Sequence, residues 1–259
     1  MPDYDLSKPE IKWELPHELL EISGNTWIDK DHLLAIQDES PDLYIIKLEG
    51  NKAFIVRTIA FIDNDKKYDL EDVVLVNDTA YALSSHGNIY KIKDWKNKPG
   101  VEVIGTFLEK DNNTEGICFD TVTQNLLVAC KKESDINDEK KSTRAIYEFD
   151  LTSGSLKKEP FLVITKEDIA KVSKENIEFF PSAIDIHPLT HDILILSTKD
   201  TKCMVVYSHD KVLKSLQIID KDLLPQPEGI CFAPDGTLYI STEGKNGVPA
   251  FILQFKKTT

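Results

Sequence analysis

The 259-residue chain contains no run of 18 apolar residues, which excludes a helical membrane span. Its opening Met1-Pro-Asp-Tyr-Asp-Leu6 lacks the basic and apolar segments of a secretory leader, so the chain reads as cytoplasmic or as the mature part of an exported protein. Positive charge is scarce. With 31 Lys and Arg against 44 Asp and Glu, the net charge is −13; this argues against nucleic acid as a partner and for a cation or a basic surface. The four cysteines form no C-x-x-C pair, so zinc or redox chemistry has no motif here, and all four are expected to be free, mostly buried thiols. Hydrolase signatures are missing as well. His17-Glu18 does not complete H-E-x-x-H because position 21 is Glu, and no G-x-S-x-G frames Ser84-Ser85-His86-Gly87, which reads as a turn. His187 and His191 have zinc-like spacing, but Pro188 and Thr190 place them in a turn rather than on one helix face.

What the chain does have is an internal repeat. Pro227-Glu228-Gly229-Ile230-Cys231-Phe232 matches Thr114-Glu115-Gly116-Ile117-Cys118-Phe119 almost letter for letter, and weaker copies begin at Glu21, Glu71 and Ser182. The starts are about 44 to 67 residues apart, the spacing of propeller blades rather than of helical arrays. Each start leads into a turn and an apolar run such as Leu126-Leu-Val-Ala129 or Ile193-Leu-Ile-Leu196, then a third strand. Four units continue into a fourth strand; the last, beginning at Glu228, does not. The spare stretch Ile11–Leu15 is expected to supply it, because a ring of blades otherwise leaves an open strand edge.

The expectation is therefore an all-β, five-bladed β-propeller of four-stranded antiparallel blades. It forms a single domain over residues 1–259, with blades starting near 21, 71, 115, 182 and 228 and residues 11–15 completing the last. Helix periodicity is confined to Lys166–Val172, where Thr165 and Asp168 have capping-box spacing. That insertion, Thr165 to Phe179, is expected to lie over the acidic face; the charged run 132–141 is a second insertion.

Alternating strand direction brings the start of each first strand and the end of each second strand to the same face. Glu21, Glu71, Glu115 and Glu228 mark starts, with Ser182 replacing the acid in the fourth unit; Asp38, Glu39, Glu133 and Glu243 mark ends. Crowded carboxylates raise one another's pKa, and a divalent cation would relieve them, calcium above all because it takes many hard oxygen ligands. Alternatively, each Glu accepts hydrogen bonds from neighbouring turns and ties the units together.

The run Leu15–Gly24, Gln37-Asp38-Glu39, Asp69-Leu-Glu-Asp-Val73 and the two Glu-Gly-Ile-Cys-Phe copies resemble the SdiA-regulated family of bacterial β-propellers. The resemblance extends over nearly the whole chain. It implies five blades distantly akin to NHL-repeat proteins, a calcium site, and an extracytoplasmic setting in the periplasm or as an anchored lipoprotein. Glu21, Glu71, Glu115, Glu228, Asp38 and Glu39 are the matching positions. The favoured function is a monomeric, non-enzymatic calcium-binding module at the cell envelope that holds a protein or small ligand on its acidic face. The alternative is a calcium-dependent hydrolase of lactonase or phosphoesterase type, with Asp185 as its base and Asn112 and Asn113 assisting.

Overall fold

The computed structural model describes residues 4–62, 68–136, 143–173, 176–245 and 247–257. Among these residues are twenty strands and one α-helix. Three four-stranded antiparallel sheets stand alone. The first comprises β6 (Leu70–Val76), β7 (Thr79–Ser84), β8 (Ile89–Lys93) and β9 (Gly100–Ile104). The second comprises β10 (Thr114–Asp120), β11 (Asn125–Cys130), β12 (Thr143–Asp150) and β13 (Ser155–Thr165). The third comprises β14 (Pro181–Ile186), β15 (Ile193–Ser197), β16 (Cys203–Tyr207) and β17 (Leu213–Ile218).

The remaining strands form one eight-stranded sheet where two separate sheets were expected. One half holds β2 (Ile22–Asp29), β3 (His32–Gln37), β4 (Asp42–Glu49) and β5 (Lys52–Ala60); the other holds β18 (Pro227–Phe232), β19 (Leu238–Thr242), β20 (Phe251–Phe255) and β1 (Ile11–Glu14). A single parallel bridge, Glu14 to Lys52, joins the halves. The N-terminal strand does pair with the C-terminal one, from Ile11 opposite Gln254 to Glu14 opposite Phe251. Trp13 stacks on Tyr239 at 6.2 Å between ring centres, so the closure is apolar as well as hydrogen-bonded.

Packing follows from side-chain alternation along the strands. In β11, Leu127 and Ala129 face the sheet of β14–β17, whereas Leu126 and Val128 face the sheet of β6–β9. This is why the run Leu126-Leu-Val-Ala129 is apolar throughout rather than alternating. Among the described residues there are five such apolar clusters, each filling one gap between neighbouring four-stranded units. Each fully buried Leu or Ile in them contributes roughly 2 kcal/mol. The first strands β2, β6, β10, β14 and β18 each touch the next, and β18 touches β2.

The helix α1 (Lys166–Val172) carries the expected capping box between Thr165 and Asp168. Its position departs from expectation, because it packs on the outer strands β13 and β17 rather than over the acidic face. Buried Ile169, Ile177 and Phe179 join the apolar cluster between those sheets, which draws the insertion to the periphery. Of the charged run 132–141, residues 137–141 lie outside the described residues. All four cysteines are free and buried.

Candidate functional site: an acidic channel mouth

A β-bulge interrupts every first strand at the same place. The pairing skips one residue between Ile22 and Gly24, Leu70 and Asp72, Thr114 and Gly116, Pro181 and Ala183, and Pro227 and Gly229. A bulge leaves its extra residue outside the ladder and re-aims its side chain. The five residues so displaced are Ser23, Glu71, Glu115, Ser182 and Glu228, one for each unit, at the end where the innermost strands begin.

This register corrects the place given to Glu21. Glu21 precedes β2 and is exposed; Ser23 occupies the position equivalent to Glu71, Glu115 and Glu228. In sequence the repeat aligns on its acids, whereas the backbone aligns on its bulges. The ring is therefore three glutamates and two serines. Ser182 turns aside to donate to the Pro227 carbonyl of the next unit at 2.9 Å. Ser23 is 5% exposed and its hydroxyl has no partner among the described residues.

Glu115 and Glu228 are buried at the mouth. Lys131, the residue after β11, reaches in and donates to Glu115 Oε2 at 2.8 Å, while Asn113 donates to Oε1. Burial pushes the Glu71 carboxyl up, and the charges of Glu115 and Asp69 push it further. Burial likewise raises Glu228 well above the usual range, with Lys131 opposing and Glu115 reinforcing. Glu115 is raised by burial and held back by Lys131. One ammonium thus serves three glutamates.

The other acids singled out in the sequence lie outside this ring. Asp38 is raised by burial and then by Glu21, Glu39 and Asp69, which marks those four as one group on the rim. Glu243 is pushed up to about 7 by burial, Asp38 and Glu21; its carboxylate accepts from Gln226. Asn112 braces the loop by accepting from the Glu109 N–H and donating to the Glu133 carbonyl.

A second polar layer lies one to three residues further along the first strands, built from Asn25, Asp72, Cys118, Asp185 and Cys231. Asp72 accepts from its neighbour Val73 N–H at 2.8 Å and, across the gap, from Ile117 N–H at 2.9 Å. Asp185 does the same with Ile186 at 2.8 Å and Phe232 at 3.0 Å. Each aspartate is a tie between units, and both oxygens of Asp185 are engaged by backbone donors. Burial nevertheless pushes its carboxyl up to about 7. Asn25 donates to Cys231 Sγ at 3.0 Å.

The glycine after the bulge in the repeat answers to this layer. A Cβ on Gly229 would stand 2.2 Å from Asn25 Oδ1 and 2.4 Å from Ser241 Oγ; one on Gly24 would stand 2.4 Å from Asp72 Oδ1. Among the described residues, no three His, Cys, Asp or Glu side chains stand close enough to hold one metal ion. For calcium the donors are therefore right in kind, being hard oxygens, but they converge at most in pairs.

Sequence reasoning missed Lys131 and the serine at the first bulge. Gly24, one residue past Ser23 as Gly229 is past Glu228, was the signal available for the second.

Strand content, closed contacts among the first strands and a polar mouth define the class, a β-propeller-like protein with an acidic channel opening. The SdiA-regulated family model matches residues 6–248, and the chain belongs to that family. No curated protein matches it significantly. Among solved structures it is similar to glutaminyl cyclase from Myxococcus xanthus, with a TM-score of 0.64, 10% identity and 97% of each chain covered. It is also similar to the PQQ-bound aldose sugar dehydrogenase of Streptomyces coelicolor, with a TM-score of 0.57, 8% identity, and 98% of this chain and 97% of that one covered. A chain of a nidogen/laminin complex gives a TM-score of 0.51 at 13% identity, over 85% of this chain and 72% of that one. At these identities the likeness speaks for the fold alone.

Proposed function

We propose that the protein is a monomeric five-bladed propeller acting as a non-enzymatic binding module, whose acidic mouth takes a cation and presents a ligand-binding face. The blade count treats the eight-stranded sheet as two blades joined by one bridge, in keeping with five bulges and five apolar clusters. One observation carries the cation: three glutamates are pushed to the axis by bulges, with Lys131 the one lysine placed against them among the described residues.

Calcium is the metal whose chemistry suits this mouth, since its flexible shell accepts a pair of carboxylates, a hydroxyl and water together. A pair of the three mouth glutamates Glu71, Glu115 and Glu228 would hold it, with the Ser23 hydroxyl beside them, and bound calcium would supply the missing positive charge. Lys131 competes for the same carboxylates. A site with so few protein ligands belongs to the weak, millimolar class, which fills where calcium is abundant; this fits an extracytoplasmic setting. The Asp185 hydrogen bonds to Ile186 and Phe232 account for that residue without chemistry, so the hydrolase reading has no observation in its favour.

Isothermal titration with calcium tests the proposal. The wild type should bind one ion, and changing Glu115 and Glu228 together to Gln should abolish binding at nearly constant volume. Lys131→Met should tighten it. Retention of calcium binding by the double variant would move the site elsewhere and sink this assignment.

A further inference from the structure

At the end of β14 opposite its bulge, a cavity of about 150 Å³ lies between the sheet of β14–β17 and the N-terminal segment that precedes β1. Its apolar wall is Leu194 from β15 with Met204 and Val206 from β16, on the face of that sheet turned toward β18–β20. Tyr4 and His187 close it with rings whose centres are 6.1 Å apart. Both rings are held. Tyr4 Oη donates to the Gly236 carbonyl at 2.6 Å, and the Tyr4 carbonyl accepts from the Gln217 amide at 2.9 Å when that amide is oriented by its neighbours. Leu189 and Thr190 N–H both donate to His187 Nδ1 at 3.1 Å, and Phe232 backs the imidazole at 5.1 Å. A volume of this size admits one six-membered ring.

The polar end of the cavity is Asp192, Lys214 and Ser215. Asp192 is only 5% exposed, and Lys214 Nζ donates to its Oδ2 at 2.5 Å. The other oxygen, Oδ1, accepts no hydrogen bond among the described residues, yet it is not sealed off as the Ser23 hydroxyl is. A carboxylate so deeply buried is costly with one oxygen unserved, and a donor bound in the cavity that Asp192 lines would complete it. The ion pair also selects the charge of the occupant. A cation would face Lys214 and an anion would face Asp192, so a neutral molecule carrying an O–H group fits both.

We propose that this cavity binds a neutral monocyclic phenol, its ring against Leu194, Met204 and Val206 and its hydroxyl donating to Asp192 Oδ1. The phenolic oxygen in turn accepts from Lys214, so both members of the ion pair are engaged. The Met204 thioether and the ring of Tyr4 favour an aromatic occupant over a saturated one. The inference goes beyond the cation-binding reading and does not depend on it, because Asp192 and His187 stand at the end of their strands away from the mouth.

Calorimetric titration of the full chain with phenol, against fluorobenzene as a ring of similar shape without the O–H donor and benzoate as the anion, tests it. Phenol should bind saturably one to one, and fluorobenzene and benzoate at least about tenfold more weakly. Val206→Phe fills the cavity and should abolish phenol binding; Asp192→Asn should weaken it by about tenfold, with melting curves confirming that both variants fold. The double change Glu115→Gln and Glu228→Gln should leave phenol binding in place, so loss of calcium at the mouth and loss of phenol are read separately. Absence of saturable phenol binding to the wild type overturns the proposal. Equal affinity for phenol and fluorobenzene does so as well, a result that needs no variant. Undiminished phenol binding by a folded Val206→Phe variant would place the ligand elsewhere and overturn it too.

Discussion

Two layers of buried acids lie in one channel, a few residues apart along the same strands, and they are compensated differently. In the lower layer, Asp72 and Asp185 each accept two backbone N–H groups, one of them from the neighbouring unit. In the mouth, Glu71, Glu115 and Glu228 share a lysine, and the Ser23 hydroxyl beside them has no partner among the described residues. A carboxylate held by backbone donors is part of the frame, since those donors need it as much as it needs them. One held by a single lysine side chain reaching in from another strand is exchangeable. The comparison separates acids that fasten the units together from acids that leave room for something else.

The largest effect expected from this arrangement is on the pH dependence of stability. Burial raises Asp185 and Glu243 to about 7 from ordinary values of 3.8 and 4.5. Between about pH 4 and pH 7 the folded state therefore binds more protons than the unfolded state, and stability falls as pH rises through that window. Urea unfolding at pH 5 and pH 8 in the absence of divalent cations should show greater stability at pH 5, by a few kcal/mol in order of magnitude.

Breaking the lower layer comes next. Asp72→Ala leaves the Val73 and Ile117 N–H groups without their acceptor and should cost about 3 kcal/mol by chemical denaturation. Asp72→Asn keeps one acceptor oxygen and should cost about half as much. Equal losses for the two would mean that the tie acts through charge rather than through hydrogen bonding.

In the mouth, the lysine and the glutamate it does not hydrogen-bond should respond with opposite signs. Lys131→Met strips Glu115 of its ammonium and should destabilise by roughly 2 kcal/mol at pH 8, with the loss shrinking at pH 5 as protons replace the missing charge. Glu228→Gln, the smallest change, removes a buried charge whose pKa is already raised and should stabilise by about 1 kcal/mol at pH 8. If Glu228→Gln destabilises instead, the glutamate is a tie like Asp72 and the contrast between the layers collapses.

Much of the frame was legible because it repeats. Glu-Gly-Ile-Cys-Phe occurs twice, the apolar runs are strand-length, and Ile11–Glu14 was available to pair with β20. The mouth was only partly legible. Glu71, Glu115 and Glu228 are where a repeated acid should be, but Glu21 imitates them in sequence while the bulge selects Ser23. Lys131 carries no signal, since it lies one residue past β11 and acts across the mouth on Glu71, Glu115 and Glu228, contacts that only the closed ring creates. Asp72 and Asp185 occupy different offsets from their bulges, yet they do the same work, because a tie requires only that an oxygen reach the next strand. The helix α1 was readable as a helix from its cap, but not its place, which Ile169, Ile177 and Phe179 determine by packing.

The central claim is that the mouth holds exchangeable charge and the lower layer does not. Differential scanning calorimetry with and without calcium, at pH 8 and at pH 5, measures it most directly. At pH 8 calcium at about a hundred times its dissociation constant should stabilise the wild type by about 2.7 kcal/mol. The gain should shrink at pH 5, where protons compete more strongly with calcium for the mouth glutamates, and persist in Asp72→Asn. A wild-type melting temperature unmoved by calcium at pH 8, or moved equally at both pH values, would contradict the account.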